Sequence, residues 1–227
     1  MNIRRAIPWL VAIALANPAL AEKIYVFYPS MAKPNAVQSA LQAKCPGSEI
    51  TVFGRLADFT AMVGQTPPDV ILAPKALADL FPTYKTFLKG TRGGSALEDA
   101  VLVSTKPLDA GALATLNVGV VGVLDRGPMN GYVQAVLGGL PKLKLVTKVE
   151  DLLPLLTFGS ADAVVVGASQ VEDLKGRSQA NLQTTPASGK IGLLVACAKG
   201  DASKTESALK GLGAAEKKML GVDGWTK

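Results

Sequence analysis

The side chains able to do chemistry in this sequence are few, and the first fact about them is an absence: there is no histidine. A histidine base, a Ser-His-Asp triad, a Cys-His pair and a His-built metal site are all excluded. Two cysteines cannot make a four-cysteine zinc site. No nucleophile motif and no Gly-rich phosphate cradle occurs, which leaves Asp125 as the loop carboxylate placed to act as an acid or base. Carboxylates that follow strands are usually caps or surface charges, so we expect no enzyme, no cofactor and no metal.

What remains is binding chemistry. Four loops follow apolar runs and precede helical patterns: Tyr28-Pro29-Ser30-Met31, Ala73-Pro74-Lys75, Arg126 to Gly131, and Gly167-Ala168-Ser169-Gln170. In open α/β sheets, ligands bind beyond the carboxyl ends of the strands, where free helix N–H groups and the helix dipole favour anions. The expected ligand contacts are Tyr28, Ser30, Met31, Pro74, Lys75, Arg126, Met129, Asn130, Gly131 and Ser169. Arg126 is the expected charged partner, and Gly131 lets a backbone approach closely. Each residue also has an ordinary role open to it. Ser30 and Ser169 are equally placed as cap hydroxyls, Tyr28 as core, Arg126 as a partner of Asp125, Lys75 as a solvated charge and Asn130-Gly131 as a plain turn.

The elements that must position these loops follow from periodicity. Lys23 to Phe27, Glu49 to Phe53 and Asp69 to Ala73 read as strands, separated by helical patterns around Val37 to Leu41 and Leu56 to Val63. The alternation restarts with strands at Val118 to Val123, Lys144 to Thr147 and Asp162 to Gly167. Between them stand helical patterns on Val133, Val136, Leu137 and Leu140 and on Val149, Leu152, Leu153 and Leu156. Two βαβαβ runs predict an α/β protein with two doubly wound lobes joined by two crossover strands. Phe81 to Ser95 reads as irregular, Asp99 to Ser104 as a crossing strand, and Leu182 to Thr185 as a short extended piece. Ile191 to Cys197 reads as a returning strand, and Ala202 to Leu220 as one helix. These boundaries place lobe 1 at 22–104 and 190–227 and lobe 2 at 105–189, with hinges at Ser104 to Pro107 and Ala187 to Ile191.

Composition agrees with a folded, exported chain. The sequence has 227 residues, 48% hydrophobic and 19% charged. Arg4 and Arg5, the apolar stretch Ile7 to Ala16 and Ala19-Leu20-Ala21 form a secretory signal, with cleavage expected after Ala21 and periplasmic localisation. The mature chain keeps 227 − 21 = 206 residues and, without those two arginines, 22 basic against 18 acidic residues, a mild +4. No basic cluster interleaved with aromatics points to nucleic acid. In an oxidising compartment Cys45 and Cys197 are expected to pair, the alternative being two separate buried thiols.

The ordered series of segments resembles the type II periplasmic solute-binding proteins. It comprises the first strand with Tyr28-Pro29-Ser30, Pro68 to Ala73, the crossover Ala100 to Leu108, Asn117 to Gly122, Gly127 to Tyr132, and Gly159 to Val166. The ending Leu220-Gly221-Val222-Asp223-Gly224-Trp225 is similar to the tail of the phosphonate/phosphate-binding branch. The resemblance implies a monomer that captures a small, anionic ligand between two lobes and delivers it to an ABC-type transporter permease. The other reading is an exported module that serves a membrane sensor or a protein partner.

Overall fold

A computed structural model describes residues 21–227; the predicted signal peptide, Met1 to Ala21, lies outside the described residues except for Ala21 itself. The first run comprises β1 (Glu22–Phe27), α1 (Pro34–Lys44), β2 (Ser48–Phe53), α2 (Leu56–Gln65) and β3 (Val70–Pro74). A short α3 (Lys75–Ala78) and β4 (Lys85–Thr91) follow. After β5 (Leu97–Ser104) comes the second run, β6 (Asn117–Val121), α4 (Arg126–Leu137), β7 (Lys142–Val146), α5 (Leu152–Thr157) and β8 (Ala163–Gly167), and then α6 (Val171–Arg177). The chain returns through β9 (Gln183–Gly192) and β10 (Leu194–Ala198) and ends with α7 (Ser203–Lys210), α8 (Ala214–Met219) and β11 (Gly224–Thr226).

Among the described residues the strands form two sheets, β11-β4-β10-β3-β1-β2 and β7-β6-β8-β5-β9. Within each, the three strands of the βαβαβ run are parallel, while β10 and β5 enter antiparallel beside β3 and β8. The protein is therefore a two-lobed α/β fold with the chain crossing between lobes twice.

The crossings differ in place from the expected hinges. β5 belongs to the second sheet, where it pairs with both β8 and β9. Ser104 to Pro107 and Ala187 to Ile191 therefore lie in or beside lobe 2. The chain passes between sheets at 92–96 and again at Leu193, a single residue between β9 and β10. The two passages are joined, because Leu193 N–H donates to Ala96 O at 3.0 Å and Lys75 N–H donates to Leu193 O at 3.1 Å.

Side-chain alternation sorts lobe 1 into two cores. Ile24 and Val26 of β1 face α1 and the C-terminal helices, together with Leu72, Leu194, Ala196, Leu209 and Leu220. Tyr25 and Phe27 face the other way, onto Phe53, Phe59 and Val63, with Ile71, Val195 and Cys197. Aromatic residues concentrate there: Phe59 has ring centroids of Phe27, Phe53 and Phe81 at 5.8, 5.7 and 6.0 Å. This second core runs on without interruption into lobe 2, through Leu102, Val120, Met129, Val133 and Val165.

The same alternation overturns the expected disulfide. Both cysteines are free and buried. Cys45, at the end of α1, lies in the cluster with Ile24 and Leu41, whereas Cys197 points through β10 to the opposite face, its Sγ 3.2 Å from Thr86 Oγ1. The sheet itself stands between them; Leu194, Ala196 and Ala198 of β10 share Cys45's side, and Cys197 does not.

Three further expectations give way. Phe81 to Ser95, expected to be irregular, contains β4 in the sheet between β10 and β11. Its pattern is weak because Gly90 fills an interior position: a Cβ there would come 2.4 Å from Val222 Cγ1 and 2.9 Å from Leu194 O. The extended piece near Thr185 is part of the ten-residue β9, an edge strand whose Pro186 and Ser188 an edge tolerates. The last helix is two, broken at Gly211-Leu212-Gly213.

Two outcomes are expected. The folded protein, denatured without reductant and treated with an alkylating reagent, should gain two adducts by mass spectrometry. Gly90→Ala should lower stability in denaturant titration by about 1 to 3 kcal/mol, the usual cost of overpacking against backbone.

Candidate functional site

The carboxyl ends of β1 and β3 in lobe 1 face those of β6 and β8 in lobe 2, and a partly open inner cavity of about 80 Å³ lies between them. Tyr28, Pro29 and Pro74 line it from lobe 1, Glu98 and Ile191 from the paired strands beside the crossings, and Tyr132, Gly167 and Gln170 from lobe 2. Valines 120, 121, 123, 133, 136 and 149 make the rest of the wall largely apolar. A larger cavity of about 650 Å³ adjoins Tyr28, Pro29 and Val149. Its walls are Ser30 and the start of α1, Gly54 to Asp58, and Thr147 to Glu150 of lobe 2.

The lobes are in contact around the inner cavity. Gln170 Nε2 donates to Pro29 O at 3.5 Å, and Met31 packs on the lobe 2 cluster of Val103, Val121, Val149 and Leu152. Gln170 Oε1 also accepts from Gly167 N–H at 3.3 Å, so one amide holds the β8 loop and touches lobe 1.

Glu98 is the one carboxylate of the inner cavity's lining. Its Oε2 accepts from Ser169 N–H at 3.3 Å, and a Cβ at Gly167 would fall 2.1 Å from its Oε1. Glycine at 167 is thus the condition for the carboxylate to lie there. Tyr28 and Tyr132 stand near this charge. Burial first, and then Glu98, push the Tyr132 phenol up to about 12. The same two causes push Tyr28 up, against a smaller opposing effect of Arg92. Both phenols are therefore neutral at any ordinary pH.

The expected contacts fall into three groups. Tyr28 and Pro74 line the inner cavity, and Tyr28 and Ser30 the larger one, with Ser30 Oγ accepting from Ala32 N–H at 3.2 Å. Met31 and Ser169 act at the lobe contact, through packing and through the bond to Glu98. The remaining five line neither cavity. Lys75 is exposed and paired with Asp79 at 2.6 Å; Arg126, Asn130 and Gly131 are exposed on α4. Met129 is fully buried core, four residues before Val133 on the same helix face. Glu98, Tyr132 and Gln170 join the site although they were not among the expected contacts. Glu98 falls just before the crossing strand read at Asp99 to Ser104, whereas β5 begins at Leu97, and Tyr132 lies on a helix whose apolar face hid its reach. Among the described residues no group of three or more His, Cys, Asp or Glu could hold a metal.

The phenols give a pH signature. Tyr84 is also pushed up to about 12, chiefly by burial, and donates to Pro68 O at 2.9 Å. Above pH 10 the unfolded chain sheds phenolic protons that the native state keeps, so the native state loses ground. Stability should be fully present below pH 10 and fall as pH rises toward about 12, followed by melting temperature, with the phenolate absorbance of Tyr28, Tyr84 and Tyr132 appearing above the ordinary tyrosine range.

No protein-family model and no curated protein matches the chain. Solved structures do. PhnD1 from Prochlorococcus marinus in complex with methylphosphonate superposes with a TM-score of 0.63 at 13% identity, covering 93% of each chain. The periplasmic VFT2 domain of Bordetella pertussis BvgS gives 0.57 at 17% identity, covering 90% of this chain and 92% of that one. XAC2383 from Xanthomonas citri bound to chloride ion gives 0.60 at 10% identity, covering 91% and 92%. Among the described residues no helix is long and apolar enough to cross a membrane. The fold is that of the two-lobed, type II periplasmic-binding-protein-like domains.

Proposed function

We propose that this protein is an exported binding module that encloses a small solute between its two lobes. The observation that carries the reading is the shared lining of the inner cavity: residues of both lobes and of both strands beside the crossings line one space at the carboxyl ends of the strands. This is where an open α/β sheet presents its ligand site. Closure about the crossings would bring Tyr28 and Pro29 against Tyr132 and Gln170 only when the solute is in place or the lobes are shut. Solute affinity for the closed form over the open form then sets how far the population shifts.

The anionic class expected of the solute suits the larger cavity, where Lys33 and Lys148 stand at the mouth; Arg55 there is already paired with Asp58 at 2.7 Å. Delivery to an ABC-type permease is the downstream step we propose. The second reading, a module that reports to a membrane sensor, is favoured by the small size of the inner cavity and by Met31, whose packing on lobe 2 gives the closed form apolar contacts of its own.

Solution scattering and calorimetry against a panel of oxyanions, phosphonates, carboxylates, amines and neutral solutes test the module. Binding of at least one solute should release or absorb heat and lower the radius of gyration or lock it at the closed value. A panel in which nothing gives heat and nothing alters the scattering overturns the small-solute reading. A Lys33→Ala, Lys148→Ala double variant should weaken an anionic solute by about tenfold or more, the scale of a lost charge-assisted contact.

A further inference from the structure

The lining of the inner cavity has a charge character of its own. Among the described residues that line it, Glu98 is the one carboxylate, and no lysine or arginine joins it. Among the described residues Glu98 makes no ion pair: neither oxygen meets a lysine or arginine, and its hydrogen bond is the 3.3 Å contact from Ser169 N–H. Oε1 lies over the bare Cα of Gly167, beside the cavity. Glu98 is half-buried beside an apolar wall, and its one hydrogen bond is a long backbone contact. No described side-chain cation pairs with it, and the space beside it is open to one.

The rest of the wall matches a cation. Tyr28 and Tyr132 line the same space, both held as neutral phenols, and neutral phenol rings attract a cation to their faces. Lys75 and Arg126 are both outside it, so no lysine or arginine side chain lines the cavity to receive an anion. At about 12 Å³ for each water-sized group, the 80 Å³ cavity accommodates roughly half a dozen non-hydrogen atoms. That is a short, branched alkyl group with its charged head, whose methyls would lie on Val120, Val133 and Val136.

We propose that the inner cavity receives a compact ammonium group, with Glu98 as its counter-ion and the rings of Tyr28 and Tyr132 as its flanking walls. The proposal rests on the cleft being the ligand site and names the chemistry of its inner end. A solute that also places an anionic group among Lys33 and Lys148 satisfies both cavities, but the inner site does not require it.

The test uses two probes of equal shape, tert-butylammonium and tert-butanol, with methylphosphonate as the anion, each titrated into the folded protein by NMR and calorimetry. tert-Butylammonium should bind at least about tenfold more tightly than tert-butanol, the difference a charge-assisted contact and two aromatic faces supply. Glu98→Gln should erase that preference while leaving tert-butanol binding and the circular dichroism unchanged. If Glu98→Gln does not fold, Glu98→Asp takes its place, with weakened ammonium binding and unchanged alcohol binding expected. Equal binding of the two probes, or a preference that persists in the Glu98 variant, overturns the ammonium site while leaving the cleft a ligand site. If none of the three probes binds, the ammonium site is overturned; if the wider solute panel is silent as well, the small-solute reading falls with it.

Discussion

Leu193 holds the molecule's geometry. It is the single residue between a strand of one sheet and a strand of the other, and both of its backbone groups are used: N–H to Ala96, C=O from Lys75. Register in β9 is therefore passed to β10 almost without slack. Leu97 pairs with Gly192 on one side of this link, and Leu194 pairs with Pro74 on the other. The carboxyl end of β3 is thereby set beside the start of β5, and Pro74 and Glu98 become neighbours in one cavity. A longer linker would leave the lobes free to choose their facing; a one-residue linker with both bonds made leaves them chiefly a bending motion.

The other crossing is secured from an unexpected quarter, the C-terminus. Asp223 N–H donates to Thr91 O at 2.8 Å, and its side chain accepts from Gly93 N–H at 2.6 Å. The short β11 thus closes the edge of the lobe 1 sheet and fixes the entry to the 92–96 passage at the same time. This corner is also where hydrogen bonding is incomplete. Arg92 Nε and Trp225 Nε1 are buried with no partner, and an unmet buried donor costs about 1 to 3 kcal/mol. Local opening should therefore start here more readily than in the aromatic core around Phe59.

The parts of the fold that were legible in the sequence are those with strong local patterns. The apolar runs Ile24 to Phe27, Val70 to Ala73 and Ala163 to Val166 are buried on both faces and read as parallel strands. β4 and β9 were not legible, because their assignment depends on neighbours: Gly90 exists to make room for Val222, and β9 is an edge with one polar face. The cysteines fail for a related reason. Whether Cys197 faces Cys45 depends on the parity of a strand position, and shifting one residue reverses the answer. At the candidate site, position after a strand was enough to name Tyr28, Ser30 and Pro74, which the fold places on the cavity walls. Glu98 was not, since its place in the cleft comes from β5 joining the second sheet, a fact of pairing that no local pattern carries.

The placement of β10 also sets an order on biosynthesis. Lobe 2's sheet is drawn from one uninterrupted stretch, 97–192, whereas β10 lies centrally in lobe 1's sheet, between β3 and β4. As the chain emerges, β3 and β4 have no partner for their facing edges until residues near the C-terminus are made. The second lobe can complete itself while the first remains an open fragment with exposed strand edges. Such incompleteness delays the compact native state of lobe 1 until the whole polypeptide is present, and leaves its unpaired strand edges open to misassembly in the interval.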